Sequence, residues 1–240
     1  LPHRHFTANL KGFLNTLPAI SVGNVGQLAC DVIIATLQLE KVGYFCPECF
    51  LPLVGASAFV GDEKLGLSSE VYHSNEANIT VIQFRSPLAN GKQLKFCEDF
   101  VSWVKQQKFS EVVLLSSCHS FERKDNEIIG SSIRYIASSN HKRPIGWVEM
   151  EKRENQLFLP GAGFTKKMFD KCCNEKISIL VLLTYCSEGN NIPDAIMLLD
   201  QLNQWKPLAT YLMFVLSQTS WKQPISWIHL FGNNAPKGIF

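Results

Sequence analysis

Residues Pro18 to Ala29 leave this chain few ways to begin folding. The stretch reads Pro18-Ala19-Ile20-Ser21-Val22-Gly23-Asn24-Val25-Gly26-Gln27-Leu28-Ala29. An apolar run ends at a tight Gly-x-x-Gly turn, and apolar residues then recur at helical spacing as Leu28, Ala29, Val32 and Ile33. Gln27, Asp31 and Gln38 share the opposite, narrow polar face. A strand over Leu14 to Val22, a turn and a largely buried helix are predicted. Lys41 to Phe45 follows as a strand that completes a βαβ unit. Gly23 and Gly26 let the backbone turn sharply and let helix and sheet approach closely.

A glycine turn between strand and helix invites a nucleotide-binding reading, and the spacing argues against it. The dinucleotide fingerprint needs a third glycine and an acidic residue about 20 positions on. The triphosphate loop ends in Gly-Lys-Ser/Thr, where this chain has Gly26-Gln27-Leu28. Gly161-Ala162-Gly163 is a second glycine loop. It reads as a turn that lets Phe164 staple the following helix, rather than as an anion site at that helix's N-terminus.

The rest of the chain alternates strands and helices. Phe50 to Phe59, broken by Pro52 and Gly55, reads as an irregular edge or insertion. Val71 to Ser74 and Ile79 to Phe84 suggest a hairpin. Gln93 to Gln107 is an amphipathic helix with Cys97, Phe100, Val101 and Val104 on its apolar face. Glu111 to Ser117 is a buried strand, and Phe121 to Asn140 is polar and less regular. A helix is predicted from Thr165 to about Asn174, with Thr165 as N-cap between Phe164 and Phe169. Ile177 to Tyr185 is the strongest strand. Pro193 and Asp194 open a helix that buries Ala195, Leu198, Leu199 and Leu202. Leu208 to Leu216 suits a core helix. The expected fold is a single α/β domain over residues 1–232, a three-layer α/β/α sandwich around a mostly parallel or mixed sheet, with a flexible tail over 233–240.

Composition narrows the partners. The 240 residues carry 23 basic and 21 acidic side chains, a net charge of +2, with no basic stripe to track nucleic acid. His3-Arg4-His5 and His141-Lys142-Arg143 are short basic clusters that read as solvated loop. No apolar run reaches membrane-spanning length, and no charged region followed by an apolar one marks a secretory signal. The eight cysteines lie largely in apolar patterns, as reduced cytosolic thiols do. Cys46-Pro47-Glu48-Cys49 lacks the second ligand pair that zinc needs, so no metal or cofactor is expected.

Enzyme chemistry has one opening. Ligands of open α/β sheets bind at the carboxyl ends of the strands. Three loops fall there: Gly23 to Gly26, Ser116 to Ser120, and Ser187 to Asn191. Ser116-Ser117-Cys118-His119-Ser120 sets nucleophiles beside a histidine, with Asp31, Glu188 and Asp194 as possible carboxylates. A hydrolase- or phosphorylase-like site would need His119, a serine and a carboxylate within hydrogen-bond reach. No Gly-x-Ser-x-Gly elbow accompanies them.

A resemblance favours another class. Ala19 to Ala29 resembles the signature of the proteasome assembly chaperone 2 family. So do Trp147-Val148-Glu149-Met150-Glu151-Lys152 and Ser187-Glu188-Gly189-Asn190-Asn191-Ile192-Pro193-Asp194-Ala195. Ser226-Trp227 and Leu230-Phe231-Gly232 continue the match in family order. The resemblance implies a non-enzymatic chaperone that pairs with proteasome assembly chaperone 1 as a heterodimer. The pair would help to assemble the seven-membered ring of proteasome α subunits in the 20S core and prevent premature ring association. It would need no nucleotide, and would act in the cytoplasm and also in the nucleus. Gly23, Asn24 and Gly26 are then structural signature residues. Trp221, Trp227 and Phe231 are candidates for the apolar partner interface and equally for late-packing core. Gly238, Ile239 and Phe240 stand where related proteins carry a tail that inserts between α subunits. Gly238 takes the hydrophobic position and Ile239 the tyrosine position, so an auxiliary anchor is expected at most.

Overall fold

The apolar run before the first glycine forms strand β1, Leu14–Pro18, buried along its whole length. It stops four residues earlier than its hydropathy suggests. Proline has no N–H for the ladder, and the chain then makes a short 3₁₀ turn at Val22–Asn24 before helix α1, Val25–Leu37. Gly23 (φ +64°) and Asn24 (φ +51°) are both left-handed there, a conformation that these two residue types accept most readily.

The computed structural model describes residue 10 and residues 14–59, 64–208 and 221–227. Within them follow β2 (Glu40–Tyr44), β3 (Val54–Gly55), β4 (Gly66–Leu67), β5 (Ser69–Ser74), β6 (Ile79–Phe84), α2 (Gln93–Gln107), β7 (Glu111–His119), α3 (Asp125–Ile128), β8 (Ile133–Ala137), α4 (Thr165–Asn174), β9 (Ile179–Cys186) and α5 (Ile192–Trp205). The proposed core helix at Leu208 to Leu216 falls almost wholly outside the described residues.

Seven strands form one mixed sheet in the order β2-β5-β6-β1-β7-β9-β8. The four central strands are parallel, and β5 and β8 run antiparallel to their neighbours. The hairpin β5–β6 is as expected, with Ser74 opposite Ile79. Three readings change. Strand β2 does not lie beside β1; it pairs antiparallel with β5 at the sheet edge, so β6 and β5 intervene. The polar region 121–140 contains β8, in register with β9 from Ile133 opposite Thr184 to Ala137 opposite Leu180. Thr165 is no N-cap: its hydroxyl lies 2.6 Å from the Ala162 carbonyl and 2.8 Å from Ser116 Oγ, while Phe164 occupies the cap position.

Helices cover both faces. On one, α1 and α5 lay Val32, Ile33, Leu198 and Leu202 over Val113, Leu180 and Leu182. On the other, α2 and α4 lay Phe96, Phe100, Trp103 and Met168 over Leu114, Val181 and Leu183. Central strands buried on both sides need apolar residues at nearly every position; all eight residues of β9 are buried. This second layer is rich in aromatics: Phe45, Phe50, Phe84, Phe96 and Phe164 meet edge-on or tilted at centroid distances between 4.9 and 6.2 Å. The three-layer α/β/α expectation holds.

Candidate functional site

The carboxyl ends of β1, β7 and β9 bring the three loops together. Ala19 N–H donates to the Leu115 carbonyl at 2.7 Å, and Val22 N–H to Gly161 at 2.9 Å. Here glycine is a matter of room. A Cβ on Gly26 would stand 2.4 Å from Leu115 O, and one on Gly163 (φ +59°) would stand 2.0 Å from Ile20 O. A Cβ on Gly23 would strike the Asn191 side chain at 2.5 Å. Asn191 is buried at the start of α5 and donates through Nδ2 to Ser187 O and Asp194 Oδ2, both at 2.8 Å. The signature residues Gly23, Asn24 and Gly26 therefore sit where α1 presses on β7 and on the start of α5.

Beside β1 the connections leave the sheet on opposite faces, the place where such folds bind ligands. This crevice is filled by the chain itself. Gln83 Nε2 donates to Gln27 O and to Asp31 Oδ1, each at 2.7 Å. Asp31, expected on a polar helix face, is buried because Arg85 Nη1 lies 2.8 Å from its carboxylate. Arg85 Nε reaches Glu70 Oε2 at 3.2 Å, and Lys41 Nζ reaches Glu70 Oε1 at 3.0 Å. Two cations and two carboxylates thus compensate one another under cover. Burial, and then the Glu70 carboxylate, push the Tyr72 phenol well above its usual range; its O–H donates to Glu70 Oε2 at 3.0 Å.

The remaining reactive groups are also engaged. Ser117 Oγ donates toward Ser21 Oγ and Val22 O at 2.8 and 2.5 Å. Ser116 meets Thr165, and Ser120 meets Ser187 at 2.6 Å. The His119 ring stacks on Phe121 at 4.8 Å and abuts Gly161. Burial pushes the Cys118 thiol up to about 12. Among the described residues no serine and carboxylate converge on His119. Near the Cys46 motif, a thiol and two carboxylates from Cys46, Glu48 and Asp99 gather within 4.8 Å. The Lys95 ammonium already lies 2.5 Å from Asp99 and 3.8 Å from Glu48. All eight cysteines are free thiols.

Of the expected partner-binding residues, Trp221 and Trp227 are half-buried against the α1–α5 layer. Trp221 Nε1 donates to Asp200 Oδ1 at 2.7 Å. Phe231, Gly238, Ile239 and Phe240 lie outside the described residues. What the sequence pattern missed is a group of exposed apolar side chains between residues 121 and 158, among them Phe121, Ile129 and Ile145. They follow no period, so amphipathicity could not flag them.

Fold and site together define an α/β protein whose strand-end crevice is closed by its own side chains. The chain belongs to the PAC2 family, whose sequence pattern matches residues 16–206. It is 42% identical over 245 residues to the Xenopus tropicalis protein named proteasome assembly chaperone 2, covering 93% of each chain. It is 38% identical over 256 residues to the Homo sapiens protein of the same name, covering 97% of this chain and 96% of the other. Among solved structures the fold is similar to Pyrococcus furiosus PbaA, described as an archaeal homolog of proteasome-assembly chaperone. That likeness has a TM-score of 0.60 at 14% identity, and covers 87% of this chain and 90% of the other. A Thermoplasma acidophilum protein of unknown function has a TM-score of 0.63 at 17% identity, covering 87% and 84%. At such identities the likeness concerns the fold alone. Among the described residues no helix is long and apolar enough to cross a membrane.

Proposed function

We propose that this protein is a non-catalytic proteasome assembly chaperone. It works as a heterodimer with proteasome assembly chaperone 1, promotes formation of the α-subunit ring and keeps rings from associating prematurely, in the cytoplasm. The observation that carries the reading is the near-full-length similarity to proteins named proteasome assembly chaperone 2, 37–42% identical across vertebrates. The geometry is consistent with it. At the strand ends the carboxylates of Asp31 and Asp194 accept from the Gln83 and Asn191 amides and the serines pair with other hydroxyls, whereas an obligate partner surface is built from exposed apolar residues.

Native mass spectrometry of the tagged full-length chain purified from cells tests the role. A stoichiometric second chain of similar size, with α subunits in larger species, is expected. A stable monomer that turns over an ester or a nucleoside would establish the enzyme reading instead.

A further inference from the structure

We propose that the partner chaperone docks on an apolar strip made by residues 121–131 and 145–158, at the β8 side of the sheet. The identity of the partner rests on the role proposed above; the strip rests on the following geometry.

The two segments run side by side in opposite directions. At one end Arg153 bonds the Glu122 carbonyl and covers the Phe158 ring at 4.4 Å. In the middle Lys124 and Asn126 both reach Glu151 at 3.4 Å. At the other end Ser131, Gly146 and Val148 line one cavity. On this register the proposed surface joins Phe121 and Phe158 at one end to Ile128, Ile129, Val148 and Ile145 at the other. Ile145 is 95% exposed, Ile129 86% and Phe121 76%, with Ile128, Val148 and Phe158 also exposed.

The size of the surface speaks for a folded partner. The six side chains expose the equivalent of about four complete large residues, on the order of 600 Å² at the area an aromatic or large aliphatic side chain brings. That reaches the top of what a solitary monomer shows and approaches the ~800 Å² that each partner contributes to a standard interface. The cavity between β8, the 146–148 segment and Gln201 of α5 has a volume of about 50 Å³. It is too small for a cofactor and roomy enough for the tip of one aliphatic anchor side chain, as partner pockets are.

The charges argue against other occupants. Lys124 pairs with Glu151, Arg153 with Glu122 and Arg143 with Glu149, at 3.4 to 3.6 Å. No excess of positive charge remains for nucleic acid or an anionic membrane. Strand addition is also blocked at the centre of the edge. Tyr135 N–H donates to Val148 O at 3.0 Å and Met150 N–H to Tyr135 O at 2.9 Å, so residues 148–150 already cover β8. The partner must therefore be an apolar protein surface that meets side chains.

Hydrogen exchange on the full chain, alone and in complex with proteasome assembly chaperone 1, tests the assignment together with binding titrations. Protection confined to 121–131 and 145–158 is expected. Ile129→Asp and Ile145→Asp should each weaken the complex at least tenfold while melting like the parent. Val54→Asp, on the exposed β3–β4 ribbon, should bind like the parent. A complex that forms without protecting the strip, or that tolerates both aspartates, overturns this inference and leaves the chaperone role standing. Loss of binding in Val54→Asp alone would move the interface to the ribbon. If no complex forms, the pairing itself fails and the named occupant with it; self-association of the chain, abolished by Ile145→Asp, would then assign the strip to a second copy.

Discussion

The strand-end junction and the apolar strip lie on the same molecule and are built in opposite ways. At the junction, backbone presses on backbone at Gly26 and Gly163, the Asn191 side chain fills the space at Gly23, and Gln83, Ser117 and Asn191 bond within the fold. On the strip, large apolar side chains face solvent while the nearby charges pair among themselves. The junction holds two of the motifs that mark the family, Ala19 to Ala29 and Ser187 to Ala195, while Trp147 to Lys152 lies in the strip. A close approach restricts residue type severely, so it leaves a sharp pattern. A surface for another protein needs only enough apolar area and leaves a diffuse one.

This contrast predicts large stability effects at the junction and small ones on the strip. Glu70→Gln should cost the most, about 3–5 kcal/mol, because Lys41 would keep a buried charge without its counterpart and Arg85 would be left with Asp31 alone. Chemical denaturation would register this as a lower midpoint; an unchanged midpoint would mean that the network is hydrated. Gly163→Ala combines a left-handed backbone with a Cβ driven into Ile20 O, for a total of about 2–4 kcal/mol. A variant as stable as the parent would show that the loop 161–163 can move away from β1.

A smaller, pH-dependent effect is expected at the start of β7, where His141, expected in a solvated loop, is instead buried against Glu111 and packs on Trp205, and Trp205 on Trp147. Burial works against the Glu111 carboxylate, but hydrogen bonds from His141 and Lys206, 2.8 Å away on either side, outweigh it and hold its pKa below the ordinary value. A lowered carboxylate pKa stabilises the fold above the unfolded-state value, near 4.5, and that contribution disappears as pH falls through the folded-state value. Unfolding free energies of the parent and Glu111→Gln should therefore differ at pH 7 and converge as pH falls from 4.5 through the lowered folded-state value. A gap independent of pH would assign the loss to packing. The smallest effect belongs to the strip: Ile129→Ser with Ile145→Ser should change stability by no more than about 0.5 kcal/mol, and raise the solubility of the isolated chain. A large drop in melting temperature would show that these side chains support the core.

The local elements were legible wherever one period dominated. The Gln93–Gln107 helix, the β5–β6 hairpin and the Pro193 helix start follow from apolar spacing and proline chemistry. Strand β8 was hidden because its outward positions are screened by residues 148–150, so Arg134 and Tyr135 are buried in a segment that reads as polar. The Thr165 cap was misread because a hydroxyl that can serve its own helix found Ser116 and Ala162 across the fold. Likewise Asp31 looks like a solvated helix face until Arg85, 54 residues away, neutralises it. By itself the sequence determined the α/β class, the glycine elbow and most element boundaries, since these depend on neighbours three or four positions apart. Only the tertiary structure decided the strand order, the closing of the crevice by Gln83 and the joining of 121–131 to 145–158. Those outcomes depend on which distant residues share a surface, and periodicity carries no information about that.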